Sequence, residues 1–178
     1  MGLERLIQWL IDFLTESLPG FIVKEYQEAI VLRWGKFYKH VGKGYHWKIP
    51  HVDEVIPQHT VLTTMNLPSQ SLVTKDGTNV VVKAVVKYKI FDVKTFTLEV
   101  YDSVDAISDV AQGVVKNAIM TSNWEQCRDI ENYNIDNQIT KKVRTELKKL
   151  GVSIENVVLT DIAPIRTIRL INESVLNA

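Results

Sequence analysis

The spacing of apolar positions changes repeatedly along this chain, and each change marks a different kind of element. Over residues 1–18 the spacing is helical. At about 100° per residue, Leu3, Leu6, Ile7, Leu10, Phe13, Leu14 and Leu18 share one side, flanked by Trp9 and Ile11. Glu4, Arg5, Gln8, Asp12, Thr15 and Glu16 take the other side, which predicts an amphipathic helix. Pro19-Gly20 stops it.

From Phe21 the period becomes that of strands. Phe21-Ile22-Val23 and Ala29-Ile30-Val31-Leu32 are β-rich runs, with turns expected at Trp34-Gly35-Lys36 and Gly42-Lys43-Gly44. Tyr45 to Ile49 reads as extended up to Pro50, and a further strand is expected at Val61 to Asn66. The clearest hairpin is centred on Lys75-Asp76-Gly77-Thr78, where Asp-Gly supplies the positive φ of a tight turn. In the strand that follows, Val80, Val82, Ala84, Val86, Tyr88 and Ile90 face one way and Lys83, Lys87 and Lys89 the other. That alternation predicts a half-buried antiparallel strand.

The second half turns helical. Ser103 can cap a helix whose core stripe is Val104, Ile107, Val110, Ala111, Val114, Ala118 and Ile119. A second helix is expected from Asn134, carrying Ile135, Ile139, Val143, Leu147 and Leu150 and ending at Gly151. Val152 to Asp161 reads as a strand with Val152, Ile154, Val157 and Leu159 apolar, and the tail from Pro164 offers Ile165, Ile168, Ile171 and Val175 at helical spacing. The order of elements is that of an α+β domain, a mixed or antiparallel sheet packed with helices. The expected divisions are a lipid-associating helix at 1–20, the domain at 21–164 and a short terminal helix at 165–178.

Composition narrows the function classes. With 178 residues, one well-buried domain is expected. Lys plus Arg and Asp plus Glu are each 21, so no overall field points to nucleic acid. Cys127 is the only cysteine, which excludes an internal disulfide and fits a reducing compartment. A spanning helix needs roughly 20 mostly apolar residues. The uncharged run from Val55 to Thr74 holds Pro57, Pro68 and many polar side chains, and is no such helix.

Four ordered stretches carry a family resemblance. Val23-Lys24-Glu25-Tyr26-Gln27-Glu28-Ala29-Ile30-Val31 leads to Arg33-Trp34-Gly35-Lys36-Phe37. Next comes Gly42-Lys43-Gly44-Tyr45-His46-Trp47-Lys48-Ile49-Pro50 with Asp53. Then follow Ser71-Leu72-Val73-Thr74-Lys75-Asp76-Gly77, the valine strand and Asp92, and last Gly151-Val152-Ser153-Ile154-Glu155-Asn156-Val157 with Asp161-Ile162-Ala163-Pro164. Each piece alone is common, but in this order and spacing the chain resembles the SPFH or band 7 family, the stomatins, prohibitins and flotillins. The resemblance implies a β-sheet packed against helices, monotopic attachment to a membrane, and homo-oligomeric rings or cages. It also implies that the protein organises membrane microdomains, stabilises membrane proteins and restrains membrane-bound AAA proteases. Family members usually continue into a long Ala/Glu-rich coiled coil, whereas the segment after Pro164 is short here.

Two surfaces are candidates for lipid. The apolar face of residues 1–18 must meet lipid, a partner or the domain itself, since burying each large side chain is worth on the order of 1.5–3 kcal/mol. Between Ala29 and Val52 there is no acidic residue, and Arg33, Lys36, Lys39, Lys43 and Lys48 alternate with Trp34, Phe37, Tyr38, Tyr45 and Trp47. Such a stretch suits a headgroup interface, and equally an ordinary sheet with aromatics inside. Leu3, Leu6, Ile7, Trp9, Leu10, Phe13, Leu14, Leu18, Tyr45 and Trp47 are therefore the expected membrane-binding residues. Ile165, Ile168, Ile171, Val175, Lys83 and Lys87 are the expected oligomer contacts. The expected location is peripheral or monotopic, on the cytoplasmic leaflet. A soluble adaptor that binds a membrane protein or protease through the N-terminal helix is the competing reading.

Catalytic readings fail on spacing. Gly35 to Lys43 is too long for a phosphate loop, and Gly44 stands where Ser or Thr should follow. His40, His46, His51 and His59 lack metal-ligand spacing, and Cys127 is expected to be a small buried filler. No enzyme activity, cofactor, metal or nucleic-acid partner is expected.

Overall fold

The structure, a computed structural model, describes residues 4–8, 11 and 19–165. Two compact units are present. One takes the chain up to residue 63 together with 88–106 and 147–153; the other takes 64–87, 107–146 and 154 onward.

The first unit is built on β1 (Gly20–Val23), β2 (Gln27–Arg33), β3 (Lys36–Val41), β4 (Gly44–Trp47) and β5 (Asp53–His59). β1 and β4 form an antiparallel ribbon, and the other strands form a sheet in the order β3-β2-β5. Val23, Ala29, Val31 and Val41 make its core, with Phe21 and Val55 packed against them. The β2–β3 turn is a two-residue loop in which Trp34 (φ 53°) and Gly35 (φ 72°) both take positive φ, the geometry that matches strand twist. β5 escaped the sequence reading because Pro57 lies within it. It pairs with β2 at the margin of the sheet, where a proline is tolerated.

The second unit holds β7 (Gln70–Val73) and draws on β6 (Thr63–Asn66), the long β8 (Asn79–Ile90) and β9 (Val152–Pro164), with the sheet order β6-β8-β7 and β9 also paired to β8. Val80, Val82, Ala84 and Val86 are buried, as the alternation required. The strand expected from Val61 starts only at Thr63; Val61 and Leu62 are exposed and lie outside it. Most of the helical chain also falls in it, in α1 (Ser103–Thr121), α2 (Trp124–Arg128), α3 (Ile130–Tyr133) and α4 (Ile135–Leu147). In α1 the buried stripe is Ile107, Ala111, Val114, Val115, Ala118 and Ile119, while Val104 is exposed. Ser103 is helical rather than the cap, and its hydroxyl donates to the Phe96 and Val100 carbonyls. Asp102 precedes the helix, but its carboxylate is 3.5 Å from the Asp105 amide, too far for a full capping bond.

The Lys75-Asp76-Gly77 turn is tied down by polar contacts. The Asp76 carboxylate accepts from the Thr74 hydroxyl and, at 3.0 Å, from the Trp124 amide at the start of α2. Those bonds, the Thr74 one first, hold its pKa below the usual carboxylate range. Asn123 and Gln126 close a reciprocal capping box there. Cys127 is buried, and burial pushes its thiol pKa up.

Helix α4 completes β9 with side chains. Thr140 Oγ1 accepts from the Val157 amide at 2.8 Å and Asp136 Oδ1 from the Leu159 amide at 3.2 Å. Arg144 Nε and Nη2 donate to the Ile154 and Glu155 carbonyls, each at 2.9 Å. These contacts fall where the buried positions slip from Ile154 to Val157, breaking strict alternation. Burial raises the Asp136 pKa.

Candidate membrane-contact surface

The ribbon in the first unit sorts its side chains by register. Gly20 lies opposite Trp47, Phe21 opposite His46, Ile22 opposite Tyr45 and Val23 opposite Gly44. Alternation sends Phe21 and Val23 to the core, with the His46 ring 5.6 Å from Phe21. The other face carries Ile22, Tyr45 and Trp47, which are 74%, 57% and 65% exposed. Tyr45 and Trp47 meet edge to face with centroids 5.8 Å apart, a geometry that aromatic quadrupoles favour. Tyr45 lies directly over Gly20: a Cβ there would come within 2.1 Å of the phenol oxygen. Gly20→Ala is therefore expected to swing Tyr45 off the ribbon while barely changing the melting temperature, because an exposed ring has room to move. A reduced Tyr45–Trp47 cross-peak in NMR would register the displacement, and an unchanged one would show that the ring does not rest there.

Beside this face is a concavity of about 430 Å³ lined by Arg33, Tyr38, Lys39, Trp47, Lys48 and Ile49, among others. Asp53 braces two of its lining residues, Arg33 and Ile49. Arg33 Nε and Nη2 donate to the two Asp53 oxygens at 2.7 and 2.9 Å, and the Ile49 amide donates to Oδ2 at 2.9 Å. These bonds, the Arg33 one first, hold the Asp53 pKa down to about 2 and raise that of Arg33. The Asp53 side chain is fully covered, while that of Arg33 stays part-exposed. The Arg33 guanidinium also stacks over the Tyr38 ring at 3.9 Å. The loop is further fixed by bonds from the Asp53 amide to the Ile49 carbonyl and from the Lys48 amide to the Pro19 carbonyl, both 2.9 Å.

Of the expected membrane-binding residues, Tyr45 and Trp47 are thus brought together on one exposed face. Leu6 and Ile7 are exposed within the helical residues 4–8. Leu3, Trp9, Leu10, Phe13, Leu14 and Leu18 lie outside the described residues, as do Ile168, Ile171 and Val175. Ile165 follows β9, exposed, with its amide bonded to the Asn79 carbonyl at 2.8 Å, and Lys83 and Lys87 lie on the exposed face of β8. The sequence reading missed Ile22 and the Arg33–Asp53 pair. Pairing Phe21-Ile22-Val23 with the Tyr45 segment would have revealed Ile22, but that partner is not encoded locally.

The histidines are dispersed: His40 reaches Glu28 at 2.8 Å, His46 the Gly42 carbonyl at 2.7 Å, and His59 Gln27 at 3.2 Å. Among the described residues, no group of His, Cys, Asp and Glu could hold a metal, and no helix is long and apolar enough to cross a membrane.

Comparison with known proteins places this geometry in a family. The chain is 30% identical over 162 residues to Stomatin-1 of Caenorhabditis elegans, covering 88% of this chain and 48% of that protein. It is 24% identical over 143 residues to stomatin of Mus musculus, covering 79% and 50%. A stomatin homolog of Pyrococcus horikoshii is 22% identical over 157 residues, covering 88% and 58%. The chain spans about half the length of these relatives. The family model for the SPFH domain matches residues 21–176, and with the four motif stretches built into the strands and turns described above, the chain belongs to the SPFH domain / Band 7 family.

Proposed function

We propose that the protein is a non-catalytic scaffold that lies on one leaflet of a membrane, self-associates laterally and so confines or shields membrane proteins. The carrying observation is the outward face of the β1–β4 ribbon. Ile22, Tyr45 and Trp47 present a contiguous aliphatic and aromatic surface to solvent, the composition of side chains that settle at a membrane boundary. Leu6 and Ile7 would add apolar anchorage in the plane of the interface. Many weak contacts of this kind add up when subunits are linked, so lateral assembly through the Ile165 segment and the Lys83 and Lys87 face would convert marginal binding into stable attachment. Organisation of a microdomain and restraint of a membrane-bound AAA protease are the roles that family membership suggests for such an assembly.

Liposome flotation of the purified chain, with electron microscopy of the floated fraction, tests the reading. The chain should float and form closed particles, and a Leu6→Asp, Leu10→Asp, Leu14→Asp triple variant should shift to the soluble fraction. A wild-type chain that remains at the bottom of the gradient would sink the membrane reading and leave the adaptor role through the N-terminal residues.

A further inference from the structure

The concavity beside the ribbon carries an uncompensated charge. Arg33 and Asp53 cancel in their bidentate pair. Glu25 is taken by Lys43 and Glu28 by His40. Among the described residues, neither Lys39 nor Lys48 forms an ion pair, so the lining holds two cations beyond the Arg33–Asp53 pair. The Arg33 Nη1 group also stays outside the Asp53 pair, whose bonds use Nε and Nη2. A net positive, open concavity with two ammonium groups and one remaining guanidinium nitrogen suits a phosphate group.

The cavity is also the right size and stiffness. A volume of about 430 Å³ is larger than a bare phosphate requires and leaves room for a small polar group attached to it. Its backbone walls are held before any ligand arrives, by Asp53 across the Ile49 loop and by the Lys48 amide bond to Pro19, so the ordering cost left to binding falls on the two lysine side chains. Tyr38 and Trp47 flank the cations, and Trp47 belongs at once to the cavity and to the exposed apolar face.

We propose that this concavity is a binding site for a phosphate-bearing anionic headgroup, held by Lys39 and Lys48 with Arg33 Nη1 as a further donor. The inference rests on the membrane reading above and deepens it. With the ribbon face at the boundary, Trp47 marks the level at which lipid phosphates lie, and the two lysines are placed to meet them. A soluble phosphate compound presents the same chemistry, so the two sources must be separated by experiment.

The full chain is floated with vesicles of phosphatidylcholine alone and of phosphatidylcholine doped with phosphatidic acid. Doping should strengthen binding, and a Lys39→Gln, Lys48→Gln double variant should lose about 30-fold in affinity for the doped vesicles, the worth of two lysines near an anionic surface, while binding neutral vesicles as before. A Lys141→Gln, Lys142→Gln variant removes the same charge from the exposed face of α4 and should retain the gain. If it loses as much as the cavity variant, or if the cavity variant keeps the gain, the site is overturned. Calorimetry with inorganic phosphate separates the sources: phosphate bound as tightly as the doped vesicle would assign the site to a soluble ligand and overturn the lipid assignment. A chain that floats with neither vesicle defeats the membrane reading alone, and the same phosphate titration, repeated on the cavity variant, then decides whether the pocket recognises phosphate.

Discussion

Gly151→Ala is expected to destabilise the protein by about 2–5 kcal/mol, a fall in melting temperature of roughly 5–15 °C for a chain of this size. Two costs coincide at this position. Its φ of +75° is strained for any residue with a side chain, and a Cβ would sit 2.6 Å from the Asp92 carbonyl oxygen. The obstacle is backbone, which cannot swing aside. The Gly151 carbonyl also accepts from both the Phe91 and Asp92 amides, at 3.0 and 3.1 Å, so a local shift would pull on two further bonds. Gly35→Ala is the control. Its φ of +72° is similar but nothing lies within 4 Å of a Cβ there, so only the conformational cost of about 1–2 kcal/mol remains. Thermal denaturation of both variants measures the difference. Equal melting temperatures would show that crowding against Asp92 contributes nothing.

Asp53→Ala is expected to have the second large effect, on stability and on the concavity together. The substitution removes two bonds from Arg33 and one from the Ile49 amide at a stroke, and leaves a guanidinium facing Tyr38 with no counter-ion. Acid titration gives the same contact a signature. The Asp53 carboxyl has a lowered pKa in the folded chain, about 2 against 3.8 when unperturbed. Its contribution to stability is therefore complete above pH 3.8 and is lost as the pH falls through that window toward 2. The wild type should lose stability there while the variant, already lacking the pair, shows a flatter response. Urea denaturation across that pH range reads the effect. Parallel slopes for the two proteins would mean that folding does not lower the Asp53 pKa.

The elements legible in the sequence are those whose determinants are local. The alternation from Val80 to Ile90 needs no partner to be read, and neither does Gly151 as the residue that ends a helix. The capping assignment at Ser103 failed because the first helical residue and the cap are neighbours of similar chemistry, and the Ser103 hydroxyl is drawn instead to the Phe96 carbonyl. β5 was hidden by Pro57, which argues against a strand until the neighbouring β2 is known to leave it at a sheet margin. The candidate surface was half visible. Tyr45 and Trp47 stood out by type, but Ile22 joins them only through the β1–β4 register, and Asp53 meets Arg33, 20 residues away, only through the β2–β5 register. In both cases the missing information is a pairing between distant segments, which no local pattern carries. The landmarks at Asp92 and Gly151 make the same point from the other side. They are far apart in sequence and meet at one backbone junction, so their chemistry is architectural.

The side chains that α4 lays along β9 have a consequence for crowding. A scaffold that works by gathering copies of itself on a surface holds its strands at high local concentration, where a bare strand margin templates endless addition. Arg144 takes the Ile154 and Glu155 carbonyls, and Thr140 and Asp136 take the Val157 and Leu159 amides, groups that an incoming strand would need. Along that stretch the subunit is closed to fibre growth. Copies gathered on a membrane as proposed above would then meet through side-chain surfaces, with this margin shielded.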